Sequence, residues 1–317
     1  MGRPLMYQEH PWQPVEITMR CMQSRLLMRP GEECNRRVLG VLGRAMELYG
    51  QHTRLYFAGG TSNHLHLVAA FESAEWKARF KAHIKANISK ELGALFDWPG
   101  THWDRRSRDI HILDDEAFED RLMYLAAHGV KDGLVETPHG WPGIGWVRAV
   151  TEGRPLVGVW YDRTRLDAMQ RAWERQPVGE RGRRPSLQDV ATRQVIDLTP
   201  PPMWADLPTP TLRARWTALV ADALERHRPS GSGPPLGEAA VRTADPHERP
   251  AKSKRSPAPA VHTRSRALRQ AWWAGYVAFV ETWRAALQAL RAGCAAVGFP
   301  PEGCRPAGLA MMGGDGA

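Results

Sequence analysis

Residues 54–71, RLYFAGGTSNHLHLVAAF, set two short apolar runs on either side of a Gly-Gly pair, and few folds accommodate what surrounds them. The runs at 54–58 and 64–71 read as neighbouring strands of a hairpin. Before them, Val38, Val41, Leu42, Ala45 and Leu48 recur at helical spacing across about 34–49. After them, residues 74–96 carry Trp76, Phe80, Ile84 and Ile88 at every fourth position, an amphipathic helix expected to turn its lysines outward. Strands at 16–20 and 109–113 complete the set, with a helix to about 127 whose first turn holds Asp114, Asp115 and Glu116. The order β-α-β-β-α-β-α predicts an α+β fold: a ferredoxin/RRM-like antiparallel sheet with helices on one face.

The pattern loosens after residue 150. A strand running into a helix is expected over 158–176, a helix over 211–228 and another over 264–292, so the C-terminal extension reads as mostly helical. Residues 229–262 are rich in Pro, Gly and Ser and hold a basic cluster, the composition of a linker or surface-wrapping segment. The expected divisions are a first domain at 1–150, an accessory extension at 151–228, a basic linker at 229–263, and a terminal helix and tail at 264–317. In the last helix, Trp272, Trp273, Tyr276, Phe279, Val280 and Trp283 form a stripe suited to docking on the first domain rather than to binding bases.

Charge is distributed unevenly. Residues 1–150 hold 19 Lys and Arg against 18 Asp and Glu, whereas 151–317 hold 24 against 16, giving the net +9. Such an excess fits contact with a polyanion or simply a solvated surface, and charge alone leaves both open. Arg181, Arg183, Arg184, Lys252, Lys254 and Arg255 fall under the same alternatives. The start, MGRPLMYQEHPWQPVEI, lacks a signal-peptide apolar region, and no run of about 18 apolar residues occurs, so a cytoplasmic protein without membrane contact is expected. The four cysteines show no CxxC spacing and are expected to be reduced.

Alternation along a strand puts His64 and His66 on one face and Leu65 and Leu67 on the other. With the leucines facing the helices, the histidine face is expected at a sheet surface. Two imidazoles do not complete a metal shell, so hydrogen-bonded core histidines and half of a metal site both remain open. A third candidate lies in RLMYLAAH, where Tyr124 and His128 are four apart and share a helical face.

NHLHLV, followed some sixty residues later by YLAAHGVKDGLVETPHGWPG, resembles the HUH-class single-tyrosine transposases, and most of all their REP-associated branch. EITMRCMQSRLLMR, AMELYG and THWDRRSRDIHIL agree with it, and the likeness spans about residues 15–146. It implies that His64 and His66 bind a divalent metal, Mg²⁺ or Mn²⁺, and that Tyr124 is the nucleophile. His128 stands where the family usually has Asn or Gln as third ligand, and Gly129 where proline commonly follows. A three-histidine set favours Mn²⁺ or Zn²⁺ over Mg²⁺.

The implied activity is a DNA transposase or endonuclease that attacks single-stranded or hairpin DNA through a 5′-phosphotyrosine, as a monomer or homodimer. Arg105, Arg106 and Arg108 are expected phosphate contacts and Trp103 a stacking face, against the alternative that the arginines are ordinary surface and Trp103 is core. A relative that binds hairpin DNA without cutting it, and a zinc hydrolase needing a carboxylate beside the metal, are the competing readings.

Overall fold

The computed structural model describes residues 5–104, 107–227, 233–250, 259–294 and 296–304. Its principal elements, in chain order, are β1 (Val15–Arg20), α1 (Glu32–Tyr49), β2 (Thr53–Thr61), β3 (His64–Phe71), α2 (Ala74–Leu95), β4 (Arg108–Ile112), α3 (Asp115–Ala126) and α4 (His128–Lys131). They continue with α5 (Trp146–Glu152), β5 (Leu156–Tyr161), α6 (Arg163–Glu174), β6 (Ala191–Ile196), α7 (Thr209–His227), α8 (Glu238–Thr243), β7 (Val261–His262) and α9 (Arg266–Arg291). The helices begin where local chemistry starts them. Ser73 accepts the amide of Trp76 ahead of α2, and Asp114 accepts that of Ala117 ahead of α3.

Five strands form one sheet in the order β2-β3-β1-β4-β7, antiparallel except for the β4–β7 pair. As expected, α1 and α2 cover one face. Ile17, Leu65, Leu67 and Phe71 meet Val38, Leu42, Phe80 and Ile84 there, all buried. The opposite face is not left open: α3, α5 and α7 cover much of it, packing Phe118, Leu122, Trp146 and Trp216 over Tyr56, Val68 and Ala70. All eight residues of β3 are consequently buried. That explains why its sequence is a nearly continuous apolar run rather than a polar/apolar alternation.

The C-terminal half is built into this body. The antiparallel pair β5–β6 lies on the outer side of α1, and a Cβ on Gly40 would stand 1.9 Å from the carbonyl oxygen of Val159. A Cβ on Gly158 would stand 2.1 Å from the Gly40 nitrogen, so two glycines permit backbone-to-backbone packing. The expected linker 229–263 instead contains α8 and β7. A two-residue strand just after a Pro-Ala-Pro-Ala run has no periodicity to reveal it, but Val261 and His262 pair with His111 and Ile112.

Lysines expected on the outer face of α2 are partly enclosed as well. Lys77 is fully buried and donates to the Tyr7 carbonyl at 2.9 Å, while Lys81 pairs with Asp109. The N-terminal arm and α9 account for this, because Tyr7 packs against Trp272 and Phe279 in a separate cluster. Most of the terminal aromatic stripe thus docks, through Trp272, Tyr276, Phe279, Val280 and Trp283, whereas Trp273 stays exposed. All four cysteines are free thiols. Among the described residues no helix is long and apolar enough to cross a membrane.

Two buried histidines away from the β3 pair make stability depend on pH. Burial pushes His102 down to about 4 and His111 to about 3. Between those values and the ordinary imidazole pKa of about 6.5, the unfolded chain takes up protons that the folded chain refuses. Stability is therefore retained above about pH 6.5 and falls on acidification. Thermal unfolding followed by circular dichroism should give a lower melting temperature at pH 5 than at pH 7.5; an equal or higher value would contradict this account.

Candidate metal and nucleophile site

The pleat of β3 sends His64 and His66 to the same side, and antiparallel pairing with β1 brings Arg20 opposite His64 and Thr18 opposite His66. In β1 the residues Glu16, Thr18 and Arg20 share the histidine face, while Val15, Ile17 and Met19 enter the α1–α2 core. His128, at the start of α4, completes a triangle. Its ring centroid lies 4.8 Å from that of His64 and 5.1 Å from that of His66, and the two strand histidines are 4.7 Å apart. One nitrogen from each ring lies within 4.8 Å of the others. This is somewhat wider than the roughly 3.4 Å edge of a tetrahedral shell with bonds of about 2.1 Å.

Hydrogen bonds set which nitrogens face inward. Glu16 Oε1 accepts from His66 Nδ1 at 2.9 Å, leaving a lone pair on His66 Nε2, which is buried and without a partner. Asn63 Oδ1 accepts from His64 Nδ1 at 2.6 Å and frees Nε2 in the same way. Burial, reinforced by the neighbouring imidazoles, holds His64 well below the ordinary range and His128 at about 3. One nitrogen donor from each of three imidazoles, held neutral at His64 and His128, is a set that a divalent ion can use, so the three residues fit a metal.

The carboxylate behind this set is itself enclosed. Glu16 is 2% exposed; besides His66 it accepts from Arg121 Nη2 at 3.0 Å and from His262 Nε2 at 2.9 Å. Burial opposes its charge, but these donors together hold it well below the usual carboxylate range. His262 comes from β7. The C-terminal extension thus reaches the outer shell of the histidine cluster.

Tyr124, near the end of α3, is half-buried with its ring centroid 5.7 Å from that of His128. Arg121 lies 4.2 Å and Lys131 4.3 Å from the ring centre, and Lys131 Nζ donates to the phenolic oxygen at 3.2 Å. Positions 121, 124, 128 and 131 follow the 3-4-3 spacing of a single helical face running from α3 into α4. Sequence reasoning found Tyr124 and His128 but missed Arg121 and Lys131, which the same spacing would have supplied. It also missed Glu16, Asn63 and His262.

The expected DNA contacts divide. Trp103 is 7% exposed, lies in the α1–α2 core and donates its indole N–H to the Lys85 carbonyl, so it offers no stacking face. Arg108 is exposed and pairs across from Thr18, on the histidine face. Arg105 and Arg106 lie outside the described residues, as do Lys252, Lys254 and Arg255. Arg181, Arg183 and Arg184 bond to Glu174, Gln176 and Asp189 close by in the chain, which ties down their own loop.

No family model and no curated protein matches the chain. Among solved structures it is similar to a REP-associated tyrosine transposase bound to a REP hairpin, with 14% identity and a TM-score of 0.34 over 48% of this chain and 86% of the other. It is also similar to a presumed transposase from Deinococcus radiodurans R1, with 11% identity and a TM-score of 0.28 over 39% of this chain and 95% of that one. Scores this low carry no weight of their own, and the chemistry must be read from the residues above.

Support from Glu16 should be measurable as metal affinity. Isothermal titration of Mn²⁺ should show Glu16→Gln binding about 10- to 100-fold more weakly than the unaltered protein, the usual cost of losing a carboxylate behind a ligating histidine. Unchanged affinity in a folded Glu16→Gln protein would show that the carboxylate does not orient His66.

Proposed function

We propose that the chain is a transposase-like enzyme that nicks and rejoins single-stranded or hairpin DNA, with Tyr124 as nucleophile and Mg²⁺ or Mn²⁺ held by His64, His66 and His128. The observation that carries this reading is the juxtaposition of three imidazoles converging from a strand and a helix with a phenol beside them. The motif resemblance in the sequence supports it independently.

When bound, the ion would supply charge neutralisation at the phosphate and fix its orientation. The side chains supply the rest. Tyr124 sits on a helix packed over the sheet, so its oxygen is held in place rather than carried on a mobile loop. As that oxygen attacks phosphorus, its proton passes to solvent at the half-exposed ring, and the Lys131 ammonium stabilises the charge developing there. A P–O bond to tyrosine forms and the bond to the 3′ oxygen breaks. The products are a 5′-phosphotyrosine and, after protonation, a free 3′-hydroxyl. Because the phosphodiester energy is kept, attack by another 3′-hydroxyl reverses the step and joins strands. Arg108, on the same face, is placed to bind a neighbouring phosphate.

One observation favours the hydrolytic alternative. Asp132 Oδ2 lies 3.5 Å from His128 Nε2, and burial raises its carboxyl pKa, as a water-activating base would require. Tyr124→Phe separates the readings. With labelled single-stranded DNA and Mg²⁺ or Mn²⁺, the unaltered protein should form a covalent adduct that Tyr124→Phe abolishes while DNA binding persists. Continued cleavage by Tyr124→Phe would point to Asp132-assisted hydrolysis. An unaltered protein that binds hairpin DNA without forming an adduct would be a binder that does not cut.

A further inference from the structure

A cavity of about 730 Å³ lies between the N-terminal arm, α2, the start of β4 and α9. Its wall is aromatic: Tyr7, Trp272, Trp273 and Tyr276 line it, with Trp272 and Tyr276 stacked at 4° and 5.4 Å. Trp272 is 7% exposed, but Trp273 is 44% exposed and offers a ring to solvent. An aromatic wall with an exposed indole suits a planar heterocycle better than a lipid chain.

The cavity's charge matches the same ligand. Arg108 lines it, and the carboxylate in the lining, Asp109, already pairs with Lys81. Arg108 also belongs to the histidine face, through its register with Thr18. Asp109 and His111 register with Ile17 and Val15, so the cavity opens on the α1–α2 side of the sheet, and a strand leaving the histidine face reaches it around the start of β4, where Arg108 stands.

We propose that this cavity receives a nucleobase from the single-stranded DNA flanking the nicked bond, stacked on Trp273 with its phosphate on Arg108. The assignment rests on the DNA reading above and extends it by giving α9 a place in substrate binding. Aromatic stacking with basic side chains beside it is the general means by which proteins hold single strands without reading sequence.

The test compares a fluorescently labelled oligothymidylate with an abasic strand of the same length and phosphate charge, by anisotropy with the full chain. The unaltered protein should bind the thymidylate about tenfold more tightly. In Trp273→Ala the preference should shrink towards unity, and Trp273→Tyr should restore it, while Mn²⁺ titration stays unchanged in both. Equal affinity of the unaltered protein for the two strands, binding of neither, or a preference that survives Trp273→Ala would overturn the assignment. Failure of the Tyr124 adduct with Trp273-dependent discrimination intact would sink the nicking mechanism and support the pocket. A normal adduct with no base discrimination would do the reverse.

Discussion

Glu16 is a carboxylate placed near the start of the central strand, almost wholly removed from water, a position that costs several kcal/mol unless the charge is met by well-oriented donors. It is met by three, and each arrives from a different part of the chain: His66 from β3, Arg121 from α3 and His262 from β7. The same contacts that make the charge tolerable therefore fix the relation between the histidine strand, the tyrosine helix and the C-terminal extension. Removing any one donor leaves a buried charge incompletely paired, so the arrangement resists partial loosening.

The C-terminal segment has further anchors beside that contact. Thr263 and the amide of Arg264 donate to Asp114 at the start of α3, and the Arg264 guanidinium meets Asp120 nearly two turns further along. These exposed pairs contribute little by themselves. Their effect is positional, since they tie the tyrosine helix to the strap that also holds Glu16. On the other side of α3, Trp216, Leu219 and Ala223 of α7 pack against it, and the His227 ring stands 6.0 Å from that of Tyr124. The phenol is thus set on an element secured along both sides.

Much of this was legible in the sequence where periodicity is strong. The β3 run, the four-residue apolar stripe of α2 and the acidic start of α3 each have one structural interpretation, and they place His64, His66, Tyr124 and His128 correctly relative to one another. Glu16 escaped because EITMR reads as a strand from its apolar residues alone. The signal lay in the alternate set Glu16, Thr18 and Arg20, which marks the polar face of β1 as shared with the histidines. Coverage of that face by α3, α5 and α7 is tertiary and leaves no local trace beyond the unusually apolar β3. Trp103 illustrates the opposite failure: aromatic and basic residues adjacent in the chain suggested a DNA surface, yet the indole turns into the core, while Arg108 stays on the proposed substrate side.

The account depends on three imidazoles forming one ion site next to Tyr124, and its most direct test is crystallographic. Anomalous diffraction from crystals of the full chain soaked in Mn²⁺ should show a single strong peak within about 2.3 Å of a nitrogen of His64, His66 and His128. A peak bound elsewhere, or none at a concentration that saturates the protein in solution, would contradict it.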